Sequence, residues 1–314
     1  MIQYILRRLL LFVPVIIGVS ILTFILMRIV PGDVAAIALG QNATPEALEE
    51  FREANGLDRP LPIQYLDWLA GLFRGDFGDS YFYHSAIRDE LAHRLPVTGE
   101  LMIMSVVITL ALGIPAGVIA GIRPNSWPDY VTRTTAVFGL SIPNFWLGTL
   151  LILLPAIWFN WTPPFGRVSF FDEPGKNLVQ FILPALAIGI SSAAGVMRLV
   201  RSSVLEVLRQ DYVRTAWSKG LPERTIIWRH VLKNGLIPVA TLVGLQVGML
   251  LGGAVIAEQI FALPGIGLFT LQSILGRDYL AVQAIVVLAA LMYAVVNLMV
   301  DMVYVWFDPR IRYA

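Results

Sequence analysis

Basic side chains are concentrated in one long segment, residues 204–235, which lies between two long apolar runs. Within it, Asp211 and Arg214 place an acid and a base three residues apart, and Thr215 adds a hydroxyl. Such groups form charge-assisted hydrogen bonds with a partner. They do not form a nucleophile with its base, a metal site or a phosphate-binding loop. The chemistry that this segment predicts is therefore recognition.

Outside this segment, too, the sequence contains no pattern that predicts catalysis. A G-x-x-x-x-G-K-[ST] phosphate loop is absent from the sequence, and its nearest Gly-Lys pair, Gly175-Lys176, lacks the preceding glycine. The chain has no cysteine, and its three histidines fall on opposite sides of the predicted membrane spans. We therefore expect a protein that is not an enzyme, with no catalytic, cofactor-binding or metal-binding residues.

Two amphipathic helices around Gly220 must position the polar groups of this segment. Between Leu205 and Lys219, apolar residues recur at spacings of three and four, namely Leu205, Leu208, Tyr212 and Ala216. Gly220 predicts a helix stop, and Pro222 opens a second helix at its first-turn position. Because connections between packed helices are usually short, a segment this long predicts a docking surface. A turn that binds anionic lipid headgroups through its basic residues is the alternative.

Composition places the chain in a membrane. Hydrophobic residues make up 57% and charged residues 14%, and the mean hydropathy is +0.71, whereas soluble domains carry about 25% charged residues. A transmembrane helix needs roughly 20 apolar residues. Six segments meet this need, near Leu9–Val30, Val97–Gly121, Val131–Phe159, Leu178–Val200, Leu236–Ala257 and Ala281–Phe307. The predicted fold class is an all-α integral membrane protein with six transmembrane helices.

The distribution of Lys and Arg predicts the orientation. If the spans alternate, the basic residues near the N-terminus, in the segment 204–235 and at the C-terminus all fall on one side. Acidic residues outnumber arginines between residues 33 and 94, on the opposite side. Since cytoplasmic loops carry the excess of Lys and Arg, we expect a multi-pass protein of the cell (inner or cytoplasmic) membrane with both termini in the cytoplasm.

The segment between the first two predicted spans is too polar for lipid. Residues 45–52 predict a short helix with Thr44 at its N-cap, and Pro62–Phe73 predicts an interfacial amphipathic helix. We expect an extracytoplasmic cap packed on the membrane surface, with a loose linker as the alternative. The predicted domains are 1–96, the first span with this cap; 97–307, the membrane core with the cytoplasmic loop 204–235; and 308–314, a cytoplasmic tail.

Ionisable residues within the predicted spans are few. Glu100, Glu258 and Asp301 all lie near span ends, where a solvated or paired interfacial charge is expected. Ion-coupled transporters place ionisable groups at mid-membrane. The sequence therefore indicates that the energy source lies outside these spans.

The segment 204–235 resembles the "EAA" coupling loop of type I ABC importer permeases. In that family a small-residue triplet is followed, after three residues, by a glycine and then by a second helix that ends in a proline. Arg214-Thr215-Ala216 occupies the triplet, Gly220 the glycine and Pro238 the proline. The Leu-Pro pair of the general pattern is Leu232-Lys233 here. That departure resembles the peptide/nickel branch, which includes the dipeptide/oligopeptide "B" permeases.

Further segments resemble the same branch and span nearly the whole chain. They are Pro31-Gly32-Asp33, Gly56–Leu61, Gly75–Ser80, Ser141–Trp146, Glu258–Gly267 and Asp308–Arg312. Each is weak alone, and their order and spacing make the resemblance specific.

The resemblance implies a pore-forming permease subunit of an ATP-driven importer, with an extracytoplasmic segment after the first helix. It implies four kinds of partner: a homologous second permease, two cytosolic ATPases that bind the ATP, an extracytoplasmic substrate-binding protein and the lipid bilayer. Nucleic acid is not among them. The implied ATPase-coupling residues are Asp211, Arg214, Thr215, Ala216, Gly220 and Leu221. A candidate outer gate or binding-protein contact comprises Glu258, Phe261, Pro264, Gly265 and Gly267; an ordinary Pro-Gly turn is the alternative for that segment.

The substrate is left open by the sequence. Di- and oligopeptides are the first expectation, with nickel, glutathione and oligosaccharide as alternatives in the same role. An ATP-independent secondary transporter or channel is a rival class, and an intramembrane enzyme is a third.

Overall fold

The computed structural model describes residues 2–29, 32–40, 43–164 and 166–307, and in them every regular element is helical apart from one isolated bridge between Asp79 and Ala86. The helices are α1 (Ile2–Ile29), α2 (Val34–Leu39), α3 (Pro45–Ala54), α4 (Leu61–Phe73), α5 (Ile87–Ile122), α6 (Trp127–Ser141), α7 (Asn144–Phe159), α8 (Pro174–Leu208), α9 (Asp211–Ser218), α10 (Glu223–Thr225), a π-helix (Ile226–Val231), α11 (Leu232–Gly235), α12 (Ile237–Ile260), α13 (Ile266–Leu275) and α14 (Tyr279–Phe307). The predicted all-α class is confirmed. Pro31, the motif at Asp308–Arg312 and the predicted tail 308–314 lie outside the described residues.

Four of these helices, α1, α5, α8 and α14, are long and apolar enough to cross a membrane. Two bent helix pairs bring the number to six if each pair forms one span. The pairs are α6 with α7, and Glu223–Gly235 with the first part of α12. Each of the six predicted spans therefore corresponds to one of these helices or pairs.

The third predicted span, Val131–Phe159, consists of two helices. Helices α6 and α7 meet at an angle of 96°. Ile142 between them is extended, with φ −85° and ψ 120°, because the ring of Pro143 disfavours helical geometry in the residue before it. The break therefore lies at a proline inside the predicted span.

The described residues form two compact units, one from Met1–Val97 with Pro264–Ala294 and the other from Thr98–Leu263 with Val295–Ala314. The first unit has an apolar core in which Ile87 and Leu91 of α5 pack with Phe269 of α13 and Ile285 of α14. The core of the second unit is built on α8 and on the loop that follows it.

Within the first unit, the polar segment after α1 is ordered. Thr44 caps α3 as predicted, its Oγ1 accepting from the backbone N–H of Ala47 at 3.2 Å. Helix α4 lies against α1, where the hydroxyls of Tyr65 and Ser20 are 2.9 Å apart and the Tyr65 ring packs edge-on against Phe24. Because helices with caps and buried contacts form this segment, the alternative of a loose linker is not supported.

Within the second unit, α5 and α8 approach each other along a stripe of glycines. The glycines are Gly113, Gly117 and Gly121 of α5, and they face Val196, Val200 and Val204 of α8. A Cβ added at any of the three would lie between 2.6 and 2.7 Å from a side-chain atom of the facing valine. Small residues at such spacing let helix backbones approach closely, so this α5–α8 seam holds the two spans tightly together.

Candidate docking loop and its anchor in the membrane core

The loop after α8 begins with a break that the sequence pattern did not predict. The expected helix from Leu205 to Lys219 is divided, because α8 ends at Leu208 and α9 starts at Asp211. Between them Gln210 is extended, with φ −72° and ψ 147°, and its carbonyl accepts from the N–H groups of Val213 and Arg214. The new helix therefore has its own direction and its own buried face.

The buried face of α9 consists of Val213 and Ala216. Val213 is fully buried and Ala216 is 5% exposed, and both belong to the core of the second unit. Tyr212, which the pattern placed on the apolar stripe, is 43% exposed. Its hydroxyl accepts from Asn234 Nδ2 at 3.0 Å. The register of the stripe was thus wrong at Tyr212, because the break at Gln210 turns Val213 inward in its place.

Gly220 ends α9 in the left-handed conformation that the helix stop requires. Its φ is +74°, its N–H donates to the Trp217 carbonyl at 2.9 Å, and the Leu221 N–H donates to the Ala216 carbonyl at 3.3 Å. This pair of bonds is the Schellman arrangement, in which glycine is preferred. Leu221 then packs on the core of the second unit, which fixes the end of α9.

The outer face of α9 is exposed and polar. The side chain of Asp211 is 97% exposed and that of Arg214 78%, with 3.8 Å between them. An exposed pair of this kind contributes little to stability. Thr215 is also exposed, and its hydroxyl donates to the Asp211 carbonyl at 3.0 Å. These side chains are held on a fixed helix and remain available to a partner.

Trp217 also lies on α9 and is 48% exposed. Trp217 was not among the coupling residues predicted from the sequence. A large aromatic side chain next to Arg and Thr on an otherwise polar helix face is a signal that could have identified it, since Trp and Arg are enriched where proteins bind each other.

The second helix of the loop begins one residue later than predicted and is partly π-helical. Pro222 precedes α10 with ψ 142° instead of occupying its first turn. The Leu232 N–H donates to the carbonyl of Ile227, five residues back. The apolar residues of this helix lie inward: Ile226, Val231 and Leu232 are buried and Ile227 packs beside them. Short π segments are frequent at functional sites.

The core under the loop continues into the α5–α8 seam. Val196, Val200 and Val204 face the glycines of α5, and they belong to the same cluster as Val213 and Ala216 of α9. A displacement of α9 therefore acts directly on the side chains that join α8 to α5.

A buried ion pair fixes α6 to α8 beside this seam. Arg201 donates to both carboxylate oxygens of Asp129, at 2.5 and 2.9 Å, and Asp129 is fully buried. The backbone N–H of Asn125 donates to the same carboxylate at 2.9 Å. The bidentate geometry specifies one orientation of the start of α6 on α8.

The candidate outer segment starts at the end of α12. Glu258, expected to be solvated or paired, is fully buried, and Thr98 Oγ1 donates to its Oε1 at 2.6 Å. Phe261 is 4% exposed. Ala262 follows with φ +51°. Its N–H donates to the Gln259 carbonyl, and the Leu263 N–H donates to the Glu258 carbonyl, so α12 ends here.

The remainder of the candidate outer segment belongs to the first unit. Gly265 and Gly267 are buried at the start of α13, and Pro264 is half-buried. The side chain of Asp301 lies outside the described residues.

Comparison with known proteins places the chain in a family. The family model described as "Binding-protein-dependent transport system inner membrane component" matches residues 113–313. The model for the N-terminal part of such membrane components matches residues 1–102.

Three relatives match the full length of the chain. The dipeptide transport system permease protein of Alkalihalophilus pseudofirmus is 38% identical over 333 residues, with 100% of each chain covered. The oligopeptide transport system permease protein of Bacillus subtilis is 39% identical over 316 residues, and the glutathione transport system permease protein of Escherichia coli K12 is 38% identical over 313 residues, again with 100% of each chain covered.

The fold has a counterpart among solved structures. A chain of the MetNI methionine ABC transporter, in an inward-facing conformation, matches with a TM-score of 0.56 at 15% identity, over 70% of this chain and 96% of that one. The sequence matches and the helical architecture agree. The chain therefore belongs to the family of binding-protein-dependent transport system inner membrane components, and it is a multi-pass permease subunit of an ABC importer.

Proposed function

We propose that this permease subunit carries short peptides into the cytoplasm and that α9 is its contact with a cytosolic ATPase. The relatives named for dipeptides, oligopeptides and glutathione support a peptide substrate. The observation that carries the proposed contact is the division of α9 into an exposed polar face and a face buried in the membrane core.

The proposed complex contains four kinds of partner. A homologous second permease completes the pore, two cytosolic ATPases bind the ATP, an extracytoplasmic binding protein delivers the substrate, and lipid surrounds the whole. Both termini lie in the cytoplasm, as the distribution of Lys and Arg supports. Residues 1–96 form the first transmembrane helix with its extracytoplasmic cap, 97–307 the permease core with the cytoplasmic loop 204–235, and 308–314 a cytoplasmic tail.

The coupling residues divide into two groups. Asp211, Arg214, Thr215 and Trp217 lie on the exposed face and contact the ATPase, and Gly220 lets the partner approach the backbone, since no atom lies within 4 Å of its Cβ position. Ala216 is buried in the core of the second unit and Leu221 packs against it. Their proposed part in coupling is to position α9.

Movement then passes through the core. When the ATPase displaces α9, Val213 presses on the cluster that contains Val200 and Val204, and these valines contact the glycines of α5. Protein interiors are close-packed and transmit strain. Helices α8 and α5 therefore move with α9, and the pore opens or closes.

At the other end of the core, we infer that Glu258, Phe261, Pro264, Gly265 and Gly267 form an outer gate or a binding-protein contact. Support comes from the burial of Glu258 with its bond to Thr98 and from the helix end that follows it. A change in this bond would couple α12 to α5.

The experiment compares Trp217→Ala and Arg214→Glu with wild type in proteoliposomes that hold the complete transporter. We expect both variants to insert normally and to lose most ATP-driven peptide import, because the contact face is altered while Val213 and Ala216 stay in place. Trp127→Ala is the matched control, since Trp127 is exposed but lies on α6. Import at the wild-type rate by both variants would remove α9 from the coupling path.

A further inference from the structure

A cavity of about 340 Å³ lies within the first unit, bounded by the end of α1, the helix α4 and the start of α14. Its volume is in the range of small-molecule sites, about 300–1,000 Å³. Three side chains that border it, Arg28, Trp68 and Gln283, carry buried polar atoms without a hydrogen-bond partner among the described residues. The atoms are Arg28 Nη1, Trp68 Nε1 and both amide atoms of Gln283.

Such atoms are costly in a folded protein. A buried donor or acceptor left without a partner loses its hydration and gains nothing in return, and the loss is larger for a charged group. Gln283 is fully buried, so both of its amide atoms are affected. Three such residues around one cavity indicate a site whose groups are satisfied by a ligand.

Arg28 is held in place for that role. Its Nη2 donates to Gln64 Oε1 at 2.6 Å, and its guanidinium lies 3.6 Å from the centre of the Phe24 ring. Gln64 is itself fixed, because its Nε2 donates to the carbonyls of Leu57 and Arg59 at 3.0 and 2.7 Å. These contacts fix the side chain, and its Nη1 has no hydrogen-bond partner among the described residues.

The other charged groups at the cavity do not neutralise Arg28. Arg59 and Asp67 pair with each other at 3.1 Å, and both are more than half exposed. Asp76 is exposed, and its Oδ1 accepts from the Gly78 N–H at 2.9 Å. Tyr81 contributes no charge, since burial raises the pKa of its phenol to about 12. A half-buried positive charge with a buried Nη1 and adjacent neutral N–H donors favours an oxyanion.

We propose that this cavity binds the C-terminal end of a short peptide. The carboxylate pairs with Arg28 Nη1 and accepts from Trp68 Nε1 and from the Gln283 amide nitrogen, while the amide oxygen of Gln283 accepts from the last peptide N–H. Choosing a peptide over other carboxylates rests on the proposed function. The donor set itself requires only a carboxylate beside an N–H group.

Binding is tested on the purified full chain in phosphatidylcholine nanodiscs, without partners or ATP. Dialanine and dialanine amide are the probes, followed by isothermal titration and ligand-observed NMR. Because hydrogen bonds to charged groups contribute most, we expect the amide to bind on the order of tenfold more weakly than dialanine. Binding of neither probe would mean a hydrated cavity only, and equal binding of the two would mean that the carboxylate is not recognised; either result would overturn the proposal.

Variants locate the site. Arg28→Gln and Gln283→Leu should each weaken dialanine binding on the order of tenfold or more, and Gln283→Leu should also raise the melting temperature because it removes two unpaired atoms. Arg74→Gln, an exposed substitution in the same unit, is the control and should bind like wild type. If Arg28→Gln does not fold, Trp68→Phe keeps the ring, removes only the N–H donor and should weaken binding. Wild-type affinity in Trp68→Phe and Gln283→Leu would refute the assignment.

The two proposals fail in different ways. Because this binding needs no ATPase, a complete wild-type transporter that imports no peptide, with dialanine binding by the chain intact, would contradict the proposed function and leave the cavity assignment standing.

Discussion

The close approach of α5 and α8 predicts that one methyl group added at Gly117 will lower the free energy of unfolding. In Gly117→Ala the new Cβ would lie 2.6 Å from Val200 Cβ and 2.8 Å from the Met197 carbonyl oxygen. Both distances are far below ordinary van der Waals contact, so the helices must separate. Overpacking of this kind costs typically about 1–3 kcal/mol. Alanine recovers about 1 kcal/mol in helix propensity, which leaves an expected net loss of roughly 0–2 kcal/mol.

A double-mutant cycle tests whether the clash is with Val200. Val200→Ala alone should destabilise the protein, because it removes buried methyl groups at about 0.8 kcal/mol each. In the Gly117→Ala background the same change removes the Val200 Cγ1 atom that would lie 2.9 Å from the new Cβ, while the Val200 Cβ at 2.6 Å remains. Part of the clash is relieved, so the two losses should not add, with a coupling energy of about 0.5 kcal/mol or more.

Gly99→Ala is the matched control on the same helix, because no atom lies within 4 Å of its Cβ position. Stability is measured by reversible unfolding of the purified chain in mixed micelles. ATP-driven import by the complete transporter should fall for Gly117→Ala and stay unchanged for Gly99→Ala. Equal stability of the two variants, or additive losses in the cycle, would refute the close approach of α5 and α8.

Three further substitutions test separate features in the same unfolding assay. Gly220→Ala should lower the free energy of unfolding by about 1–2 kcal/mol because φ is positive there. An unchanged free energy would mean that α9 does not end in a left-handed residue. Ala262→Gly should stabilise the protein by up to about 1 kcal/mol, since Ala262 has φ +51°; a loss of stability would contradict that helix end. Arg201→Gln should cost about 3–5 kcal/mol because it leaves Asp129 buried and unpaired, whereas the exposed Arg214→Gln should change stability by less than about 1 kcal/mol. Similar small effects at both arginines would show that the Asp129 pair is not buried.

The long apolar runs predicted the membrane helices because length and hydropathy are properties of contiguous sequence. Sequence alone does not show which proline inside a span breaks the helix. Pro14, Pro155 and Pro184 all remain inside helices, while Pro143 separates two. Prolines are tolerated in membrane helices when neighbouring groups satisfy the freed backbone, and those neighbours are known only from the fold.

The candidate contact was predicted in part. The glycine stop at Gly220 follows from local backbone chemistry and was found where expected. The break at Gln210 carries no glycine or proline signal, so the inward turn of Val213 and the outward position of Tyr212 were not predicted. Arg28 and Gln283 lie far apart along the chain, and periodicity along one helix cannot show that both border one cavity.

Site-directed cross-linking tests the central proposal, that the outer face of α9 contacts the ATPase, most directly. The chain contains no cysteine, so single cysteines can be introduced without removing others. Ser218→Cys is exposed on α9, and Ala216→Cys is buried on the same helix and serves as its control. With a short cross-linker in the complete transporter, the account predicts an adduct between residue 218 and the ATPase whose yield changes with ATP, and none from residue 216. Equal yields at the two positions, or no adduct with the ATPase from residue 218, would contradict it.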